Sequence, residues 1–278
     1  MSVSAGFKRK RRGKYLGVRM DGAIGKFSPF IYLFSIATAE GITSLIEPTC
    51  GLFCHGVIMF ALLGHAAFLY PSAKDTSYLL MSIAIAPLIR ILSLCAPVYR
   101  FHFLQWFPMM TIPLFSAAII FISFQHLNEQ DVGLVLKLRQ MPLQLAICCT
   151  GIPFGCIEYL ILKPNPLIEE LSFRSLLAPI IIIMVCTGFI EELIFRGIIQ
   201  YNAIKYFNSG LGIFFGTLLF AVMHIGNLSL LDVVFVFIIG YIYAYLVKFT
   251  GTIIGVSISH GLTNILLFLL LPLMWIPL

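Results

Sequence analysis

The chain has 278 residues, of which 60% are hydrophobic and 11% charged, with a mean hydropathy of +1.00. A soluble domain carries nearer half apolar and a quarter charged residues, so no soluble fold of this length could cover so much apolar surface. The formal charge of +6 does not point to nucleic acid, because eight of the eighteen Lys and Arg residues fall between Lys8 and Lys26, with no aromatic-interleaved basic fold beside them. The seven cysteines form no CxxC pair and lie mostly in apolar runs, which argues against a disulfide frame and a zinc site.

Residues 1–27 read as a basic cytoplasmic segment. Lys8, Arg9, Lys10, Arg11 and Arg12 would keep the amino terminus inside and meet anionic lipid heads. Ala37-Thr38-Ala39 imitates a signal cleavage site, but the leader is long and the apolar character resumes beyond Glu40, so this stretch reads as a first anchor.

A bilayer core of about 30 Å takes roughly 20 apolar residues per helix. Continuous runs predict helices over 28–46, 51–70, 77–97, 103–124, 143–162, 176–203, 209–225, 229–248 and 251–274. A membrane barrel would instead show short segments of alternating polarity. The predicted fold class is therefore all-α: a polytopic transmembrane bundle of eight or nine helices, the uncertainty lying in the short seventh run. Residues 28–162 form an amino-terminal group of helices and 176–274 a carboxyl-terminal core, divided loosely by polar connections at 125–139 and 163–174. Starting inside, this order puts Lys74, Lys137, Arg139, Lys205 and Lys248 on the cytoplasmic side, and Arg100, Lys163 and Arg174 outside. The expected location is the prokaryotic cytoplasmic membrane.

Glu40, His55, His65, Arg90 and Glu158 are scattered through the amino-terminal half, none with a partner at helical spacing in its own segment. Each reads as a group that snorkels or pairs with a neighbouring helix. The last third is different. Glu191, Glu192 and Arg196 interrupt one apolar helix, His224 ends a second, and His260 and Asn264 interrupt a third. A charge at mid-helix costs about 2.5–3.5 kcal/mol on insertion scales, so this grouping needs compensation from partners or a watery cavity. Glu192 and Arg196 stand four apart, in the favoured order, and can meet on one face. Glu191 is turned about 100° away and looks toward another neighbour, where a desolvated carboxylate beside a His is suited to take a proton from water. His260 and Asn264, again four apart, present donors on one face as an oxyanion requires. Phe220 shares a face with His224 and can shield its imidazole.

These residues resemble the CPBP intramembrane proteases, which include CAAX prenyl endopeptidases and Abi-type immunity proteins. Glu191-Glu192-Leu193-Ile194-Phe195-Arg196 fits EExxxR, Phe220 to His224 fits FxxxH, and His260 to Asn264 fits HxxxN, over about residues 178 to 268. A decoy, Glu169-Glu170-Leu171-Ser172-Phe173-Arg174, fits the first pattern but follows Pro166 in a polar connection. The resemblance implies peptide hydrolysis by a glutamate-activated water. Glu191 would be the base, His224 would orient the water, His260 and Asn264 would hold the oxyanion, and Glu192 with Arg196 would brace the helix. No cofactor is expected; zinc on a Glu and two His is the alternative. The expected partners are membrane lipids and a membrane-associated protein or peptide substrate. A non-catalytic immunity or scaffold protein is the competing class, and a proton-coupled transporter is disfavoured because no inverted repeat is evident.

Overall fold

The structure, a computed structural model, describes residues 23–96 and 103–274; the basic cluster Lys8 to Arg12 and Arg100 lie outside the described residues. Helix makes up 83% of the described residues, and no strand occurs among them. Among the described residues nine long helical segments follow one another: α1 Ala23–Leu45, α2 Pro48–Leu69, α3 Lys74–Cys95, α4 Phe103–Phe124, α5 Leu138–Leu162, α6 Phe173–Tyr206, α7 Ser209–Asn227, α8 Leu230–Thr250 and α9 Ile254–Met274. The eight from α2 onward are long and apolar enough to cross a membrane. All seven cysteine thiols are free.

Several helices run further into polar sequence than their apolar runs suggested. α3 begins at Lys74 and α6 extends to Tyr206, and Lys205 and Asp75 form a 3.0 Å ion pair that joins these two ends. At its other end α6 is capped by Ser172, whose hydroxyl accepts from the Ser175 amide while the Ser175 side chain accepts from the Ser172 amide, a reciprocal capping box. The seventh segment differs from the expected 209–225. Its α-helix stops at Val222, a turn follows at Met223 and His224, and a single 3₁₀ turn covers Ile225–Asn227. His224 thus sits on a turn and not within a helix, which accounts for its position near the end of the apolar run.

The bundle is apolar on the outside and polar within. Phe34, Phe53, Phe60, Phe68 and Ile112 are exposed, whereas Glu40, His55, Glu192 and Asp232 are completely buried. In hydrocarbon there is little drive to hide apolar side chains, so helix contacts rely on small residues and internal polar links. α9 shows this best. Gly151 and Gly155 of α5, at small-xxx-small spacing, lie against Ser259 and Leu266 of α9. On its other side Gly188 of α6 packs so closely that an added Cβ would lie 2.7 Å from both the Gly261 amide nitrogen and the Ser257 carbonyl oxygen. That crossing sits one turn from Glu191 and Glu192 on α6 and beside His260 on α9. It sets the distance between the two polar clusters.

Because the blocking atoms at Gly188 are backbone, Gly188→Ala cannot be absorbed by a rotamer change. We expect it to destabilise the protein by about 1–3 kcal/mol, the usual cost of overpacking. A lowered melting temperature of the detergent-purified protein would register this, and an unchanged one would contradict the packing described.

Candidate active site

α6 carries its acidic pair between two stretches of widened, π-type turn, Met184–Phe189 and Leu193–Ile199, with only Ile190–Glu192 in regular α geometry between them. Each widened turn takes in an extra residue and redirects the side chains beyond it; such turns recur at functional sites. Glu192 points into the bundle, completely buried, and its Oε1 accepts from Arg196 Nη1 at 2.8 Å and from His260 Nδ1 at 2.9 Å. The Arg196 pairing was legible from the four-residue spacing. The bond to His260 was not, because it joins α6 to α9 across 68 positions of sequence.

One aromatic ring ties this cluster together. The Arg196 guanidinium lies 4.1 Å from the centroid of Phe220, a cation–π contact in a desolvated place. The same ring meets the imidazoles of His224 and His260 edge-on, with centroids 4.8 and 6.0 Å away. Phe220 thus touches three of the polar side chains that the sequence singled out.

With Nδ1 held by Glu192, His260 turns Nε2 toward Glu191, whose Oε2 is 3.9 Å away. Asn264, one turn further along α9, donates from Nδ2 to Thr187 Oγ1 at 2.9 Å, and Thr187 in turn donates to the Ile183 carbonyl. His224 donates from Nδ1 to the Phe220 carbonyl at 3.0 Å, which leaves Nε2 of the neutral ring as an acceptor. Glu191, His224, His260 and Asn264 all line one cavity of about 540 Å³, together with Phe220. Glu192 and Arg196 stand behind its wall. Below His260, Ser259 is held by Tyr243 and Thr150 through hydroxyl contacts of 2.7 and 2.8 Å, which anchor α9 to α8 and α5.

The amino-terminal half also reaches this cavity. Arg90 of α3 donates from Nε to Glu40 Oε1 of α1 at 2.9 Å and places Nη2 2.6 Å from Glu40 Oε2, with His55 of α2 3.5 Å from the same carboxylate. Arg90 Nη2 then donates to the Met223 carbonyl at 3.0 Å and rests above Gly226. The turn bearing His224 is therefore held from outside by a buried ion pair. The turn is also strained, because Leu228 adopts a left-handed φ of +53°, seldom seen for a bulky residue. A 2.8 Å bond from Asn227 to the buried Asp232 of α8 secures its far side. Glu158 lines the cavity too. None of these links follows helical spacing, so only the intramembrane placement of Glu40, Arg90 and Glu158 marked them in the sequence.

Glu169, Glu170 and Arg174 of the decoy motif are all exposed, at the surface end of α6. Among the described residues no group of three or more His, Cys, Asp or Glu side chains is gathered as ligands round a metal ion would be.

Removing one member of the Glu40–Arg90 pair leaves a buried charge unmatched, an effect of about 3–5 kcal/mol where partners are fully enclosed. Arg90 is partly open to the cavity, so the lower end of that range is expected for Arg90→Met. Amide hydrogen exchange over 223–228 should accelerate in this variant, and the added change Glu40→Gln should restore part of the lost stability. Unaltered exchange in the turn would show that the clamp does not hold it.

Residues 173–266 match the family described as Rce1-like, type II CAAX prenyl endopeptidase. No curated protein and no solved structure matches the chain.

Proposed function

We propose that this integral membrane protein, whose residues 173–266 match the Rce1-like family, is an intramembrane endopeptidase that uses a glutamate-activated water to cut a membrane-associated protein or peptide. The observation that carries the reading is the convergence of Glu191, His224, His260 and Asn264 on a single cavity whose volume, about 540 Å³, lies within the roughly 300–1,000 Å³ range of ligand pockets.

In this reading Glu191 takes a proton from a water that His224 Nε2 helps to orient, and the oxygen attacks the scissile carbonyl carbon. The carbonyl electron pair moves onto oxygen, where His260 and the Asn264 amide stabilise it. Collapse of the tetrahedral intermediate breaks the C–N bond as Glu191 returns the proton to the departing amine. The 2.9 Å bond from His260 to Glu192 supports a fixed ring orientation, and the Asn264–Thr187 bond supports a fixed amide. The chemistry asks for no metal.

The cavity is lined by Leu162, Gly226 and Asn227, at the end of the bundle opposite to Lys74, Lys137, Lys205 and Lys248. If the basic amino-terminal segment lies in the cytoplasm, as the positive-inside bias favours, this end of the cavity faces outward. The substrate would then be cut near that surface, close to lipid headgroups.

Two measurements test the proposal. Glu191→Gln should lower substrate processing by at least about 10²-fold, the lower bound for loss of a general base, with an unchanged melting temperature, while Glu170→Gln should process as the wild type does. Equal processing by wild type and Glu191→Gln would favour a binding protein. Treatment with a tight chelator should leave activity intact; loss of activity restored by zinc would overturn the metal-free mechanism.

A further inference from the structure

The cavity holds a second carboxylate that this hydrolytic reaction does not use. Glu158, near the end of α5, is only 7% exposed and lines the cavity. Among the described residues it has neither a hydrogen-bond nor an ion-pair partner. The other buried acids each have a protein partner: Glu40 pairs with Arg90, Glu192 with Arg196 and His260, and Asp232 accepts a hydrogen bond from Asn227.

The charges around Glu158 are mostly of its own sign. Asp232 and Glu191 act on it along with His260, which is already shared between Glu191 and Glu192. Arg90, the other cation on the cavity wall, is bound to Glu40. The cavity thus has a buried carboxyl group with no cation of its own, and in a membrane interior its charged form is favoured only when a ligand supplies the counter-charge. Phe107, Leu162 and Phe268 line the same cavity and could cover the apolar stem of a long basic side chain.

We propose that Glu158 is the recognition group for a cation, the Lys or Arg side chain of a peptide bound beside the scissile bond. This deepens the proteolytic reading and rests on it for the identity of the ligand as a substrate. The cation site itself is independent of cleavage. A guanidinium suits it best, because its planar fork can give two charge-assisted bonds to one carboxylate.

The test uses the full chain in phosphatidylcholine nanodiscs with n-hexylguanidinium and its neutral near-isostere n-hexylurea. Wild type should bind the guanidinium at least about 10-fold more tightly, as expected of a charge-assisted pair over a neutral one. Glu158→Gln should bring the two affinities together, whereas Glu191→Gln should keep the preference. Equal binding of both probes by wild type, or a preference that survives Glu158→Gln, overturns the proposal. If Glu158→Gln does not fold, Glu158→Asp replaces it: the shortened arm should weaken the guanidinium and spare the urea, and equal weakening of both counts against the site.

A second arm compares membrane-anchored peptides with Lys or norleucine beside the cleaved bond. Wild type should favour Lys in kcat/KM, and Glu158→Gln should move the ratio toward one. Cleavage without any preference for Lys sinks the cation site and leaves proteolysis standing. A Glu158-dependent guanidinium preference with no peptide cleaved does the reverse.

Discussion

The arrangement around the cavity depends on the single buried oxygen Oε1 of Glu192. It receives Arg196 from its own helix and His260 from α9, so one anion fixes a helix turn and the neighbouring imidazole together. A lone carboxylate or guanidinium at this depth would be expensive, and each removes the cost of the other. Phe220 closes the group from the side, with its ring face to the guanidinium and two imidazoles against it. The close crossing of Gly188 over Gly261 makes these contacts reachable, since side chains of this length would not span a wider gap. Glu191, one residue away and turned to the cavity, inherits a defined position from this support without taking part in it.

Much of the fold was legible because a bilayer imposes simple rules on sequence. Unbroken apolar runs gave the helices, and EExxxR, FxxxH and HxxxN drew attention to the residues that now share a cavity. The Glu192–Arg196 contact followed from a spacing of four. What could not be read was of two kinds. Helix ends ran on into polar sequence, as at Lys205 and Asp75, or gave way to a turn that breaks the hydrogen-bond ladder, as at His224. Links between distant segments leave no periodic trace: Glu192 to His260, Arg90 to Glu40 and the Met223 carbonyl, and Asn264 to Thr187 are each set by packing. Nor did the widened turns of α6 show in the sequence, although Gly188 and Gly197 lie within them.

The recurrence of acids in the cavity region has a common physical theme. Glu40, Asp232 and Glu192 are matched within the protein and serve as braces, whereas Glu191 and Glu158 face open space. Burial alone does not separate these roles; a place on the cavity wall does.

The hold that Arg90 exerts on the Met223 carbonyl comes from α3, well outside the stretch 173–266 that resembles known proteases. That stretch is therefore not a portable module. Grafted onto another set of leading helices, it would retain its motif residues yet lose the external brace on the loop that carries His224. Evolutionary exchange of the front half would succeed only where the incoming helices bring an equivalent cation to the same carbonyl.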